Sequence, residues 1–420
     1  MPSSKTWSLP LQSPPAALKL PAGTPHAARL VLGLLKRLRS GHLEVQLPDG
    51  STQHFGPGCA GQPRAQLQLS NWKLFGAALK SGDIGLAETH VAGDWSSPDT
   101  VALLRLFIAN REALEELVYG RWWGRALHRV RHLLNRNSRS GSRRNIHAHY
   151  DLGNNFYRLW LDDTWAYSSA WFNGDFAQPM VQAQQAKMRR ALAQCNLRPG
   201  QRLLEIGCGW GALAECAARD FGAQVMGVTL STEQLALARQ RMADAGLADR
   251  VDLRLCDYRD IEKTEGQAGF DAIVSIEMFE AVGREYWPGF FRSLREQLQP
   301  GGRACLQSIT IRDDLFDRYV QGTDFIQQYI FPGGLLPSRS EFRAEAQRAG
   351  LRVVDELAFG PDYAETLRRW RLAFHAQDAQ VRALGFDERF MRLWDFYLAY
   401  CEAAFDSGCT DVVQFTLEHA

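Results

Sequence analysis

The sequence predicts an α/β protein in which a doubly wound, mainly parallel sheet follows a smaller α+β region. Beyond about residue 200, hydrophobic strand segments alternate with amphipathic helical segments, which is typical of βαβ units. A glycine-rich turn, GCGWG, follows the first of these strands, as in folds that bind a ligand at the carboxyl ends of parallel strands. Before about residue 120, alternating hydrophobic segments and a PDG turn indicate a hairpin accompanied by helices.

The composition excludes several classes of protein. Forty-eight Lys and Arg balance 47 Asp and Glu, so no overall positive charge favours a nucleic acid partner. The eight cysteines form no C-x-x-C pair and no apolar signal segment is present, so we expect a reducing cytoplasm. The longest mostly apolar run, ARLVLGLLKRL, is interrupted by charge before the roughly 18 residues that a membrane span needs. We expect a soluble or peripheral protein, and without metal-ligand spacing of His, Cys or acidic residues we expect no metal site.

The first part of the chain predicts a poorly ordered tail over residues 1–27 and a small α+β domain over residues 28–118. The tail is rich in Pro, Ser and Ala and has no periodicity. From Ala28 an amphipathic helix is followed by HLEVQLPDGSTQHF, which predicts a hairpin, and by the alternating strand AQLQLS. Two helices follow, and the second is predicted to begin at Ser97 and Pro98.

A basic segment over residues 119–145 separates this region from the rest. Between Arg121 and Arg144 it has eight arginines and no acidic residue, together with Trp122 and Trp123. One interpretation is a solvated linker. The other is contact with a membrane surface, since arginine attracts anionic head groups and tryptophan favours the interface.

The remaining residues, 146–420, predict alternating strands and helices. Strands are predicted, in order, at QRLLEIGC, AQVMGVTL, VDLRLCD, FDAIVSI, RACLQSIT, RVVDELAF and DVVQFTLEH. Helices are predicted from Gly211 to Asp220, at STEQLALARQRMADAG and EYWPGFFRSLREQLQPGG, and as two long stretches over about 361–407. The last strand follows the long helical stretch, so we expect it to return antiparallel.

The glycine loop alone is compatible with either a dinucleotide or S-adenosylmethionine. A nicotinamide enzyme of this fold usually has Asp or Glu at the end of the second strand, whereas that strand ends GVTLS here. Glu205 stands just before the loop, and CDYRD after the third strand supplies Asp257 and Tyr258. Two acids at these strand ends favour S-adenosylmethionine, although each alone could be a surface acid or a helix cap.

The residues from about 145 to 420 resemble the cyclopropane fatty acid synthase family, which includes the mycolic acid methyltransferases. The motifs that carry the resemblance are HAHYDLGNNFYRLWLDDTWAYSSAWF, LRPGQRLLEIGCGWG, GVTLSTEQ, DYRD, SIEMFEAVG, YIFPGGLLPS and FGPDYAETLRRW. The resemblance implies a Rossmann-like class I methyltransferase sheet with lipid-binding helical additions. It also implies transfer of a methylene from S-adenosylmethionine to the double bond of an unsaturated phospholipid acyl chain at the inner face of the membrane.

The resemblance assigns a cofactor site and an acyl site. Phe331 and Tyr363 would contact the acyl chain. The residues implied for S-adenosylmethionine are Tyr150, Tyr167, Ser168, Glu205, Gly207, Gly209, Gly211, Thr229, Gln234, Asp257, Tyr258, Ser275 and Ile276.

In this family a bound bicarbonate acts as the base that allows ring closure. The resemblance places Glu280, the amide of Ile309 and Tyr363 around it, with Ser169 at a position where a cysteine is expected and Gln307 where a histidine is expected. Serine and glutamine can still donate to an anion, but glutamine cannot become a cation. Another acid, Glu277, ends a strand nearby, where a structural role is the more common one.

We therefore expect a cyclopropane-fatty-acyl-phospholipid synthase, and the two departures keep a second product open. The alternative is a family C-methyltransferase that makes a methyl-branched or methylene chain without ring closure. A non-enzymatic lipid-binding protein is a third hypothesis, which the intact glycine loop and Glu205 disfavour. The sequence is also compatible with a homodimer.

Overall fold

The computed structural model describes residues 20–58, 62–114, 152–261 and 269–420. The basic segment over residues 119–145 and Tyr150 lie outside these residues, as do the first 19 residues of the predicted tail. The division of the chain at residues 28, 118 and 145 stays a prediction.

The N-terminal part is an α+β unit, as predicted. Its four-stranded sheet has the order β2-β1-β3-β4, in which β1 pairs antiparallel with β2 through the PDG turn and parallel with β3. The buried residues alternate along β3, so one face of the sheet packs on helices. The elements are α1 (His26–Leu35), β1 (His42–Gln46), β2 (Thr52–Phe55), β3 (Arg64–Leu69), α2 (Lys73–Ser81), α3 (Asp83–Ala92), β4 (Trp95–Ser96) and α4 (Thr100–Ala109).

The C-terminal part has a seven-stranded sheet of order β10-β11-β9-β8-β5-β6-β7. The prediction of a doubly wound sheet with an antiparallel last strand is confirmed, because β11 pairs antiparallel with both β9 and β10. Chain order reverses between β5 and β8, the point where such sheets bind ligands. The strands are β5 (Arg202–Ile206), β6 (Gln224–Thr229), β7 (Val251–Leu255), β8 (Phe270–Ile276), β9 (Leu298–Ile311), β10 (Leu351–Ala358) and β11 (Thr410–His419).

Helices cover this sheet and extend beyond it. A π-helical turn, Ile326–Ile330, precedes the FPGG segment. The α-helices are α5 (Asn154–Arg158), α6 (Met180–Gln194), α7 (Ala212–Asp220), α8 (Thr232–Asp244), α9 (Trp287–Gln297), α10 (Asp313–Gln321), α11 (Arg339–Arg348), α12 (Gly360–Ala376), α13 (Asp378–Ala383) and α14 (Glu388–Asp406).

Some helix boundaries differ from the predictions. Helix α4 is capped by Asp99, whose carboxylate accepts from the Ala102 amide at 2.9 Å, so the predicted start at Ser97 was two residues early. Helix α3 and strand β4 were not predicted. The C-terminal stretch has three helices rather than two, because the chain turns again before Gly385, which has φ +97°.

The two parts of the protein share one hydrophobic core. Phe396 of helix α14 lies against His90 and Trp95 of the N-terminal part, with ring centroids 5.5 and 6.3 Å apart. Trp95 is 1% exposed and Phe396 is fully buried. Helix α14 is therefore held between the small unit and the large sheet.

Candidate active site

A cavity of about 350 Å³ opens at the carboxyl ends of the central strands. Its wall combines the glycine loop, the ends of β6, β7 and β8, the π-helical turn and the C-terminal helices. The predicted site residues that line it are Tyr167, Ser168, Glu205, Gly207, Gly209, Thr229, Gln234, Asp257, Tyr258, Ile276, Glu280, Ile309, Phe331 and Tyr363.

Two further predicted residues, Ser275 and Gly211, lie outside the cavity lining. Ser275 donates its hydroxyl to the Ile206 carbonyl at 2.8 Å, so it joins two strands. Gly211 has φ +84° and caps helix α7, and a Cβ there would stand 3.2 Å from that of Ala238. Both residues thus hold the ends of the glycine loop in place without contacting the cavity.

The glycine loop presents backbone to the cavity. The amides of Gly207 and Cys208 donate to the Val228 carbonyl at 2.9 and 3.0 Å, which fixes the loop on β6. Gly209 has φ +51°, and a Cβ on it would meet nothing within 4 Å. This open backbone is what a ligand needs to approach the loop closely.

Glu205 is a buried acid whose environment suits a cationic ligand. It is 3% exposed, and its Oε2 has no hydrogen-bond partner among the described residues. Burial raises its pKa well above the ordinary range of a carboxyl group. An ammonium such as that of the methionine part of S-adenosylmethionine would donate to this oxygen. Glu205 therefore fits the predicted cofactor.

Lys187 of helix α6 is a buried cation in the same wall, which the sequence did not reveal. It is 1% exposed, and its Nζ donates to the Ser168 hydroxyl at 2.5 Å. Burial lowers its pKa to about 8, against the raising effects of Glu277, Asp162 and Glu205. Lys187 thus positions Ser168 and offsets part of the negative charge of the site.

At the other strand ends, polar groups already have partners within the protein. The Thr229 hydroxyl lies 3.3 Å from Gln234 Oε1. Asp257 caps the turn that follows β7, and Arg259 donates to its two oxygens at 2.8 and 2.6 Å. Tyr258 packs beside them, and burial raises its pKa to about 12. The helix-cap role considered for Asp257 is therefore present, together with an ion pair that was not predicted.

The central feature of the cavity is Glu277, which collects three hydrogen bonds. Its Oε1 accepts from the Ser169 amide at 2.9 Å and from Gln307 Nε2 at 2.7 Å. Its Oε2 accepts from the Tyr363 hydroxyl at 2.6 Å. Three of the five groups that the resemblance implied for bicarbonate thus surround a carboxylate of the protein itself.

The other two implied groups form a separate cluster. Glu280 accepts from the Ile309 amide, and from the Ser308 hydroxyl at 2.9 Å. Its Oε2 has no hydrogen-bond partner among the described residues. The hydroxyl of Ser169, which was expected to face an anion, instead donates to the Ala170 carbonyl at 2.9 Å. The groups that the resemblance implied for bicarbonate are therefore divided between Glu277 and Glu280.

The two acids differ in the groups that surround their carboxylates. Burial raises the pKa of both, and for Glu280 the neighbouring Glu277 adds to the effect and brings it to about 8. Lys187, Tyr363, Ser169 and Gln307 oppose the rise for Glu277, because they stabilise its ionised form. The ionised form is therefore better stabilised at Glu277, which has the Lys187 charge and three donors nearby, than at Glu280.

The backbone at Glu277 is unusual as well. Its φ is +50°, in the left-handed region that favours glycine. A residue with a Cβ costs about 1 to 2 kcal/mol in that conformation. Such strain commonly marks functional sites. The signal in the sequence was an acid directly after β8, beside the glycine-loop strand.

The N-terminal part also reaches the cavity wall, through Asp83 at the start of helix α3. Its Oδ2 accepts from the Tyr400 hydroxyl at 2.8 Å and from the Phe325 amide at 3.1 Å. Tyr400 and the adjacent Asp324 both line the cavity. Burial raises the pKa of Asp83 and, with the charge of Asp83, raises that of Asp324 to about 7.

We expect Asp83→Ala to lower the free energy of unfolding by about 1 to 3 kcal/mol, because it leaves two buried donors without an acceptor. Urea unfolding measures this effect. Asp83→Asn keeps an acceptor oxygen and should lose less than half as much. Equal losses in the two variants would show that these hydrogen bonds do not hold the junction.

Comparisons with known proteins agree with this architecture. Residues 137–415 match the family model described as mycolic acid cyclopropane synthetase. The chain is 41% identical to the tuberculostearic acid methyltransferase UfaA1 of Mycobacterium tuberculosis (strain ATCC 25618 / H37Rv), with 96% of this chain and 94% of that protein covered. It is 32% identical to the cyclopropane-fatty-acyl-phospholipid synthase of Escherichia coli (strain K12), with 86% and 92% covered.

A solved structure of the mycolic acid cyclopropane synthase CmaA1, complexed with SAH and CTAB, superposes with a TM-score of 0.60 at 34% identity and covers 66% of this chain and 97% of its own. The cyclopropane synthase MmaA2 from Mycobacterium tuberculosis gives a TM-score of 0.59 at 32% identity, with the same coverage. The family resemblance and the class I methyltransferase fold are confirmed. The chain belongs to the mycolic acid cyclopropane synthetase family of S-adenosylmethionine-dependent methyltransferases.

Proposed function

We propose that the protein methylates the double bond of an unsaturated fatty acyl chain in a phospholipid, with the Glu277 carboxylate as the base. The observation that carries this proposal is the set of three donors on Glu277, inside the cavity wall. These donors take the place that the resemblance gave to groups around bicarbonate. A carboxylate attached to the chain makes a bound anion unnecessary.

Residues already described would hold S-adenosylmethionine, which supplies an electrophilic methyl group on a positively charged sulfur. Glu205 would bind its ammonium, and Gly207 and Gly209 would leave room for it beside the loop. Thr229 and Gln234 offer hydroxyl and amide groups suited to a ribose. Asp257 and Tyr258 offer an acceptor and an aromatic face suited to an adenine.

Aromatic side chains would exclude water and stabilise positive charge on the acyl chain. Tyr167 and Tyr397 join their hydroxyls at 2.8 Å, and Tyr363 stacks on Phe405 with ring centroids 4.4 Å apart. Phe331 lines the same cavity. An alkene is a weak nucleophile, so alignment in a dry site is needed, and each aromatic face can stabilise a cation by about 0.5 to 2 kcal/mol.

Glu277 would complete the reaction by taking one proton. When one alkene carbon gains the methyl group, its neighbour is left as a carbocation. Glu277 removes a proton from the new methyl group, and the electron pair of that C–H bond either closes a three-membered ring or forms a C=CH2 bond after a hydride has moved to the neighbouring carbon. The proton then leaves from the carboxyl group to solvent, so no oxidant or reductant is needed.

We propose the methylene-branched chain as the product. The supporting observation is the similarity to a tuberculostearic acid methyltransferase over 96% of this chain, at 41% identity. A cyclopropane ring is the second candidate, supported by the 32% identity to a cyclopropane-fatty-acyl-phospholipid synthase. Both products require removal of one proton from the new methyl group, so Glu277 could act as the base for either one.

The lipid substrate implies work at a membrane surface, and we propose a peripheral association. None of the helices in the described parts of the chain is long and apolar enough to cross a bilayer. The basic, tryptophan-containing segment over residues 119–145 has the composition suited to anionic head groups. A homodimer stays a proposal as well, and analytical ultracentrifugation would test it.

The product is tested by incubating the purified protein with an unsaturated phospholipid and S-adenosylmethionine that carries a deuterated methyl group. A methylene branch retains two deuterons at an olefinic carbon and is cleaved to a ketone by ozone. A ring also retains two deuterons but resists ozone and shows high-field proton signals. A labelled ring would overturn the product assignment, and unlabelled lipid would overturn the proposed activity.

A further inference from the structure

A line of amide side chains connects Glu277 to the outer side of the sheet. Gln307 of β9 donates to Glu277 Oε1 at 2.7 Å, and its own Oε1 accepts from Gln414 Nε2 of β11 at 3.0 Å. These two glutamines are direct cross-strand partners in the antiparallel pairing of β9 and β11. They are 1% and 0% exposed, so bulk solvent does not reach them.

The outer end of this line is Arg190 of helix α6. It donates to Gln414 Oε1 at 2.8 Å and to Asp355 Oδ2 at 2.6 Å. Its side chain is 13% exposed. It does not line the cavity.

The line has a fixed polarity, because a guanidinium can only donate hydrogen bonds. Gln414 must therefore turn its oxygen towards Arg190 and its NH2 inward. The Lys187 carbonyl supports the same orientation through a longer bond, since it accepts from Gln414 Nε2 at 3.2 Å, against 2.8 Å for the bond from Arg190. Gln307 must then turn its oxygen towards Gln414 and its NH2 towards Glu277.

We propose that Arg190 and Gln414 are positioning residues that set the amide orientation of Gln307 and so aim a donor at Glu277. A donor facing Glu277 favours its ionised form, the form that can accept a proton. With the amide reversed, an oxygen would face Glu277, and the carboxyl group would need its own proton to bond to it. This inference rests on the proposed role of Glu277 as base.

The test reverses the polarity at two positions. Gln414→Glu places acceptors at both ends of that side chain, so Gln307 must turn its NH2 outward. Arg190→Glu places an acceptor at the outer end, where it competes with the Lys187 carbonyl for the Gln414 NH2 and favours reversal of both amides from outside the cavity. In both variants we expect kcat/KM to fall about tenfold to a hundredfold. We also expect the acidic limb of the pH profile to move to higher pH.

The matched control is Arg189→Glu, the same charge reversal one residue away on helix α6. Arg189 pairs with Asp220 at 2.9 Å and is 52% exposed, so we expect an unchanged pH profile. S-adenosylhomocysteine affinity should be unchanged in all three variants. If Gln414→Glu does not fold, Arg190→Glu alone tests the positioning role.

A wild-type pH profile and kcat/KM in folded Arg190→Glu would overturn the inference. Glu277→Gln, measured alongside, separates this failure from that of the proposed function. If Glu277→Gln is inactive while Arg190→Glu behaves as wild type, the base role stands and the positioning role falls. If Glu277→Gln is fully active, the base role itself falls.

Discussion

Glu277→Gln should lower the rate of lipid methylation by about 10²- to 10⁴-fold, the range expected for loss of a general base. Glutamine has nearly the same shape, and its oxygen can accept from Ser169 and Gln307 while its NH2 faces the Tyr363 oxygen, but it cannot take up a proton. S-adenosylhomocysteine affinity, measured by calorimetry, should change little, because Glu205 and the glycine loop stay intact. The reaction is followed by transfer of labelled methyl groups to unsaturated phospholipid.

Glu277→Gly provides a second test of Glu277 as the base. It removes the carboxylate, leaves the donors of Ser169, Gln307 and Tyr363 around an open space, and suits the backbone φ of +50°. We expect the variant to be inactive alone and to regain activity with millimolar bicarbonate, an anion of matching acceptor geometry. Glu277→Gln is the control, since its side chain still fills the space and should not be rescued.

The outcomes separate the two bases. Wild-type activity that is unchanged when bicarbonate is removed supports the internal base. A wild-type enzyme that loses activity without bicarbonate would contradict it. Equal rescue of the Gly and Gln variants would place the anion elsewhere.

Glu205→Gln should weaken binding of S-adenosylhomocysteine by about 10- to 150-fold, the loss expected for a hydrogen bond between charged groups. Its Oε2 is buried and has no partner among the described residues, so the ligand's ammonium would be its counter-ion. Without ligand, burial favours the protonated acid, which glutamine resembles. The unfolding temperature of the free protein should therefore change little.

The affinity for S-adenosylhomocysteine should also depend on pH. Since burial raises the pKa of Glu205, affinity in the wild type should fall as the pH drops through that raised value, and the fall should be absent in Glu205→Gln. Glu233→Gln, on the exposed side of helix α8, is the matched control. Unchanged affinity in Glu205→Gln would remove this residue from the cofactor site.

The strands and the glycine loop could be predicted because hydrophobic alternation and glycine spacing are local signals. Glu205 and Asp257 stood at strand ends that the predicted sheet brings to one edge. Helix α3 was not predicted, because Gly82 directly precedes it, Gly85 interrupts its apolar pattern, and its burial comes from contact with helices α2 and α14.

The arrangement around Glu277 could not be predicted, because it depends on orientation rather than identity. Ser169 was identified, yet its amide and not its hydroxyl meets the acid. Gln307 was identified, but the side chain that orients it, Gln414, lies 107 residues further along the chain. Lys187 lies within an ordinary helical pattern, and only the tertiary fold reveals that it is buried.

The left-handed backbone at Glu277 has a consequence for how such an enzyme can change over generations. The codons GGA and GGG for glycine differ from GAA and GAG for glutamate at one nucleotide. A backbone with φ +50° accepts glycine without strain. Under the proposed role of Glu277 as base, a single point mutation would exchange an enzyme that carries its own base for one that must take an anion from the cell, and its activity would then depend on dissolved carbon dioxide.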